Sequence, residues 1–174
     1  VQDGAPSEPF RMAAADGEIF GDGSVSDPAS ADLARGGYAV IQLKPGSEDA
    51  GKVTYGPQPW DLPQTAVATE HVAMVQAGHH CEGLPLLVCD CAAVVTGWEV
   101  GHIRAADARR PMAGYWREIM SIGRPFSGIV QELAHQNSDV DDDPVLRRRR
   151  LGNAAADVWA KEGASKHGLT HELK

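Results

Sequence analysis

"LPLLVCDCAAVV", residues 84–95, decides the architecture. Its first half is an unbroken apolar run, which is what a strand covered on both faces needs. Its second half turns Ala-rich and continues through "AAVVTGWEVGH" to residue 102, a helical composition. Upstream lie three β-rich segments, 18–26, 36–44 and 52–59, joined by the polar link "DPASADLAR" (27–35) and the turn "PGSEDAG" (45–51). They read as an antiparallel meander whose third, proline-containing strand is an edge. Between meander and apolar run, "TAVATEHVAMVQAGHH" (65–80) reads as a helix capped by Thr65, with Val67, Ala68, Val72, Met74 and Val75 as its apolar stripe. Downstream come an amphipathic helix (113–123), a strand (127–136) running into the acidic loop "NSDVDDDP", and a closing helix (147–167). The order βββαβααβα predicts an α/β domain: a five-stranded mixed sheet flanked by helices. Residues 1–16 read as a linker or frayed N-terminus, 17–167 as the domain and 168–174 as a tail.

A chain of 174 residues with 43% hydrophobic content supports one such core. No apolar run reaches the roughly 18 residues of a membrane span. The N-terminal segment has no apolar core of a signal peptide. The first residue is Val, which suggests a piece of a longer chain. Three cysteines, Cys81, Cys89 and Cys91, form no disulfide rhythm and fit a reducing, intracellular setting. A net charge of -8 opposes broad attraction to nucleic acid, so any such role needs a local site holding cations.

Four acids stand in apolar or glycine-rich surroundings. Asp22 sits inside the first strand in "EIFGDGSVSD" (18–27), Glu70 midway along the first helix, Asp90 at the end of "LLVCD", and Asp157 in "GNAAADVWA". Taken alone, Asp22 between Gly21 and Gly23 reads as a hairpin turn. Taken together, four such acids suggest one metal site, because an unpaired buried carboxylate is costly. Two Mg²⁺ ions about 4 Å apart suit phosphodiester hydrolysis and favour hard oxygen ligands. They would also halve the formal charge of -8, with the change concentrated where phosphate must sit. A zinc reading of "HHC" (79–81) with "CDC" (89–91) lacks Cys-x-x-Cys spacing and is set aside.

The segments "DGS" (22–24), "TAVATEH" (65–71), "VCDCAAVV" (88–95), "AHQ" (134–136) and "GNAAAD" (152–157) together resemble a type 1 ribonuclease H domain. The resemblance spans about residues 17–167 and extends to such domains at the end of retroelement polyproteins. It implies a ribonuclease H-like fold and cleavage of RNA paired to DNA, leaving 3′-hydroxyl and 5′-phosphate ends. It implies Asp22, Glu70, Asp90 and Asp157 as metal-binding catalytic carboxylates for two Mg²⁺ ions, with Mn²⁺ as a substitute. His135 would assist proton transfer or product release, and Gly23 and Ser24 would lie against the hybrid. A reverse transcriptase in the same chain is the implied context, with the isolated domain a monomer. Two positions depart from the family's usual polar residues: Val67, three before the helix glutamate, and Ala92, two after the strand aspartate. Only Arg104, Arg109, Arg110 and Arg117 stand where cellular members are strongly basic.

On a regular closing helix, Arg150, Asn153, Asp157 and Lys161 share a face suited to a nucleic-acid groove, with Asn153 a substrate contact. Leu151, Ala155, Val158 and Trp159 would then turn to the core. "RRRR" (147–150) after "DVDDD" (139–143) reads as a solvated pair of opposite charge runs, with phosphate contact as the alternative. Trp98, Trp116 and Trp159 read as core, and Trp60 as cover for the sheet edge. Beside the nuclease stand two other readings: a non-catalytic hybrid-binding or packing module of a reverse-transcriptase protein, and another nuclease or transposase on the same fold.

Overall fold

A computed structural model describes residues 10–11, 17–30, 32–132 and 143–167. Three strands, β2 (Glu18–Ser26), β3 (Arg35–Leu43) and β4 (Ala50–Pro57), form the expected meander after a two-residue β1 (Phe10–Arg11). Helix α1 (Ala66–His80) follows, then β5 (Cys81–Glu82) and β6 (Leu86–Cys89). The chain continues through α2 (Ala92–Glu99), α3 (His102–Ala105), α4 (Ala113–Ile122), β7 (Gly128–Gln131) and α5 (Pro144–Ser165). The main sheet has the order β4-β3-β2-β6-β7. Its meander pairs are antiparallel, and β2–β6 and β6–β7 are parallel. This is the mixed five-stranded sheet the sequence predicts, with β6 an interior strand between β2 and β7, as an apolar run requires.

Side chains alternate across the sheet. Ile19, Val40, Leu87 and Ile129 face α1 and α4, where Met74, Trp116 and Ile119 complete the larger core. Phe20, Ile41, Leu43 and Val88 face the other way, towards Ala156 of α5. Helix α1 begins as predicted: the Thr65 hydroxyl accepts the Ala68 N–H at 3.3 Å. Val67 does not join its buried stripe and is 41% exposed, whereas His71 is buried on that face.

Helix α5 differs most from expectation. It starts three residues early, with Asp143 accepting the Val145 N–H and Pro144 in the first turn. Its core face is Gly152, Asn153, Ala156, Ala160, Gly163 and Ala164. Leu151, Ala155 and Trp159 are only partly buried, and Val158 is exposed. The cause is close approach rather than hydrophobic bulk. A Cβ on Gly37 would run into the Ala160 carbonyl and the Ala164 nitrogen, and one on Gly163 would meet the Gly56 carbonyl. Backbones this close leave room for glycine and alanine alone.

The arginine run is not a solvated charge run. Arg149 pairs with Glu18 at 2.7 Å and Arg150 with Glu132 at 3.6 Å, all four side chains largely buried. Arg147 reaches Glu48 at 3.1 Å, and Arg148 donates to the Ser47 carbonyl at 2.6 Å. The run therefore ties the start of α5 to β2, the β3–β4 turn and the end of β7. The predicted helix over 92–102 breaks at Gly101, with φ +85°, into α2 and α3. Within the segment read as a linker, β1 pairs in parallel with β5. Trp116 is buried, Trp98 and Trp159 are partly so, and exposed Trp60 packs on Arg35 and His167 at the meander's end. Among the described residues, no helix is long and apolar enough to cross a membrane.

Candidate active site and metal centre

Asp22 lies midway along β2, opposite Ala39 of β3, on the face that α5 covers. The glycine after it answers why a turn-like triplet sits inside a strand. A Cβ on Gly23 would run into the Glu70 nitrogen and the Thr69 carbonyl carbon of α1. Glycine lets the α1 backbone rest on β2, and this contact carries Glu70 to Asp22. Asp90 arrives by register. Phe20 pairs with Val88 in the parallel β2–β6 ladder, so the position two residues further on each strand is level. β6 ends at Cys89, and Asp90 sits in the short gap before Cys91 caps α2. The Gln131 side chain donates to the Asp90 carbonyl at 2.9 Å, fixing that corner to β7.

Carboxylate oxygens of Asp22, Glu70 and Asp90 all lie within 4.8 Å of one another. Burial pushes the Asp22 carboxyl from 3.8 up to about 7, helped by the charges of Asp90 and Asp157. Burial also raises Glu70 well above its ordinary value, with Asp22 and Asp90 adding to the effect. Asp22 Oδ2 and Glu70 Oε2 are buried with no donor among the described residues. Clustered hard oxygens, two of them buried and unsatisfied, are a poor arrangement for a bare protein and a good one for a divalent cation. The residues present therefore fit a Mg²⁺-type ion.

Asp157 stands apart from this trio. It is half-buried on α5, and its Oδ2 accepts the Lys161 ammonium at 2.7 Å. Its charge still acts on Asp22. Asn153, expected on a groove face, is buried at 3% exposure, with Oδ1 lacking a partner among the described residues. Arg150 likewise turns inward to Glu132. The face shared by 150, 153, 157 and 161 thus runs from the interior out to Lys161 rather than lining an open groove. Gly23 and Ser24 are half-buried on β2 beyond Asp22, and His135 lies outside the described residues.

Beside the trio, α1, α2 and α4 enclose a cleft of about 550 Å³. Val67, Ala92, Thr96, Arg110, Met112 and Trp116 help to line it. Both departures from the family pattern therefore sit on its wall. Burial raises the Cys81 thiol to about 12 and pushes Cys89 and Cys91 up as well. Two features escaped the sequence reading. One is the packing role of Gly23, for which a glycine within a strand is a standing signal of close approach. The other is the partnership of Asp157 with Lys161, signalled by acid-to-lysine spacing of four.

Strand order and helix placement define an α/β domain with a ribonuclease H-like fold. Neither a protein-family model nor a curated protein sequence matches the chain. Solved structures do. A foamy virus protease–reverse transcriptase superposes with a TM-score of 0.64 at 20% identity, covering 88% of this chain and 21% of that one. The ribonuclease H domain of PFV, solved in solution, gives 0.59 at 17% identity, covering 85% of this chain and 93% of that one. LC11-RNase H1, in complex with an RNA/DNA hybrid, gives 0.58 at 14%, covering 86% and 96%. The chain spans about a fifth of the protease–reverse transcriptase and nearly the whole of the separate domains. Its fold is that of a type 1 ribonuclease H domain.

Proposed function

We propose that the domain is a divalent-metal-dependent endonuclease that hydrolyses the RNA strand of RNA–DNA hybrids, carried in a larger retroelement-type polyprotein with a reverse transcriptase. The observation that supports it is the meeting of Asp22, Glu70 and Asp90 oxygens within 4.8 Å on this fold, two of them buried without a donor. Asp22, Glu70 and Asp90 would hold the ions, with Asp157 contributing to a second. A bound pair of Mg²⁺ ions, or Mn²⁺ in their place, supplies a reactive water at neutral pH and neutralises charge on the leaving oxygen. The Asp90 corner is held by Gln131 and the Glu70 corner by the Gly23 contact, so the donors are positioned before substrate arrives. Gly23 and Ser24 are assigned to the substrate side and His135 to proton transfer or product release, while Asn153, buried against the core, would act there only indirectly. Hybrids are distinguished by shape and 2′-hydroxyls, so sequence preference should be low.

A second reading is favoured by the apolar cleft wall at Val67 and Ala92 and by the charge of -8: a packing or hybrid-binding module without catalysis. Labelled RNA–DNA hybrid separates the two. The nuclease reading expects shortening of the RNA strand in Mg²⁺, none in EDTA, and loss of cutting in Asp22→Asn. Intact RNA under all conditions would favour the silent module. Duplex DNA and duplex RNA as competitors test the third reading, a different nuclease on the same fold.

A further inference from the structure

His71 and Trp116 both line the cleft beside the trio, and the proposed chemistry uses neither. They are 1% and 2% exposed. His71 Nδ1 lies 2.7 Å from the Val67 carbonyl. A carbonyl only accepts, so Nδ1 carries the proton. Burial lowers the pKa of the ring and keeps it neutral, which leaves Nε2 as an acceptor. The Trp116 indole meets the imidazole edge-on, with ring centroids 6.0 Å apart. Its Nε1–H can only donate. Gly97 makes room for it, because a Cβ there would run into the indole, Nε1 included. Neither His71 Nε2 nor Trp116 Nε1 has a hydrogen-bond partner among the described residues. One nearly buried acceptor and one nearly buried donor therefore stand side by side in a cleft of about 550 Å³ with mostly apolar walls.

We propose that this cleft is a pocket for one nucleobase of the nucleic-acid substrate, turned out of its stack beside the phosphate held at the metal centre. This rests on the nucleic-acid reading above and adds a base-binding site to it. A base is flat, and its pairing edge sets an N–H next to a carbonyl or ring nitrogen. That edge complements His71 Nε2 and Trp116 Nε1, while Val67, Ala92 and Met112 supply apolar surface for its faces. Location favours the same occupant. Val67 lies one turn before Glu70 on α1, and Ala92 two positions after Asp90, so the cleft adjoins the carboxylates. Arg110 is an exposed lining residue, suited to a neighbouring phosphate. Extruding a base costs unstacking, and an unpaired base costs least. The domain should therefore prefer hybrids that carry an unpaired nucleotide.

Two measurements test this. In Ca²⁺, fluorescence anisotropy compares a short RNA–DNA hybrid with one unpaired uridine in its RNA strand, the fully paired hybrid, and the same bulge carrying 3-methyluridine. Methylation removes the N–H that His71 would accept. The uridine bulge should bind about three- to tenfold more tightly than the paired hybrid. Either 3-methyluridine or His71→Phe should abolish most of that preference. In EDTA, uridine 5′-monophosphate should shift the indole N–H resonance of Trp116, assigned as the one missing in Trp116→Phe, and ribose 5-phosphate should not. Thermal melts check that each variant folds, and the 3-methyluridine arm needs no variant. A preference that survives both methylation and His71→Phe overturns the pocket. So does the absence of both the preference and the nucleotide shift, which leaves the carboxylate trio intact. A nucleotide shift without any preference among hybrids, or without hybrid binding at all, overturns the substrate as the source of the base. Hybrid binding and Mg²⁺-dependent cutting that both fail while the nucleotide shift persists mark the failure of the nuclease reading rather than of the base site.

Discussion

Asp22→Asn should make the metal-free domain more stable at alkaline pH. Asp22 is 4% exposed, and its carboxyl is raised from 3.8 to about 7 by burial first, then by Asp90 and Asp157. A carboxyl raised on folding binds its proton more tightly in the folded state. The folded state is then favoured at low pH and loses stability as pH climbs from about 4 through about 7. At about 1.4 kcal/mol per pH unit, that window amounts to roughly 4 kcal/mol for a group titrating by itself. Glu70 responds when its neighbour loses its charge, and the amide keeps the shape of the carboxyl. The expected gain at pH 8 in EDTA is therefore about 2–4 kcal/mol, or a rise of about 5–15 °C in melting temperature. At pH 4 the gain should shrink to about 0.5 kcal/mol or less, since the native carboxyl is then protonated. Saturating Mg²⁺ should close the gap at pH 8, because binding at about a hundred times Kd stabilises the parent by about 2.7 kcal/mol. Urea unfolding at pH 4 and pH 8, each with EDTA or Mg²⁺, measures all four conditions. An equal gain at both pH values, or none at pH 8, would refute the claim that burial of the Asp22 carboxylate, reinforced by its charged neighbours, governs this site.

Gly23→Ala should cost about 1–3 kcal/mol, since its Cβ meets the Glu70 and Thr69 backbone, and should weaken Mg²⁺ binding at the same time; denaturant melts and titration read the two effects. Arg149→Met should destabilise by about 1–3 kcal/mol by stranding Glu18, whose side chain is 12% exposed, while Mg²⁺ affinity is retained; equal stability in urea would show the pair to be idle. Val67→Gln places an amide on the rim of the cleft and should tighten hybrid binding by about two- to tenfold, read by fluorescence anisotropy in Ca²⁺.

The order of elements was readable because each carried its own local signal: alternation and turns for the meander, an apolar run for β6, and a capping threonine for α1. Asp22, Glu70 and Asp90 were readable because acids in apolar surroundings demand a reason, and the structure brings these three together. Asp157 was placed on the right helix, but its lysine partner was taken only as a neighbour on the same face. The α5 face was misjudged because hydrophobicity was used as the guide, whereas the contact selects for small residues at Gly37, Ala160 and Gly163. The start of that helix was signalled by Asp143 and Pro144, and the charge of the following arginines obscured it. No local pattern could pair Arg149 with Glu18, which lies 131 positions away. The two-residue strand β1 is too short to show any period at all.

The central claim is that acids from β2, α1 and the end of β6 converge to hold a divalent ion, with Asp157 of α5 nearby. Anomalous diffraction from crystals of the domain soaked in Mn²⁺ addresses it directly. The account predicts a strong peak among the oxygens of Asp22, Glu70 and Asp90, and a second on the Asp157 side. Saturating Mn²⁺ with no peak between those three carboxylates would contradict it.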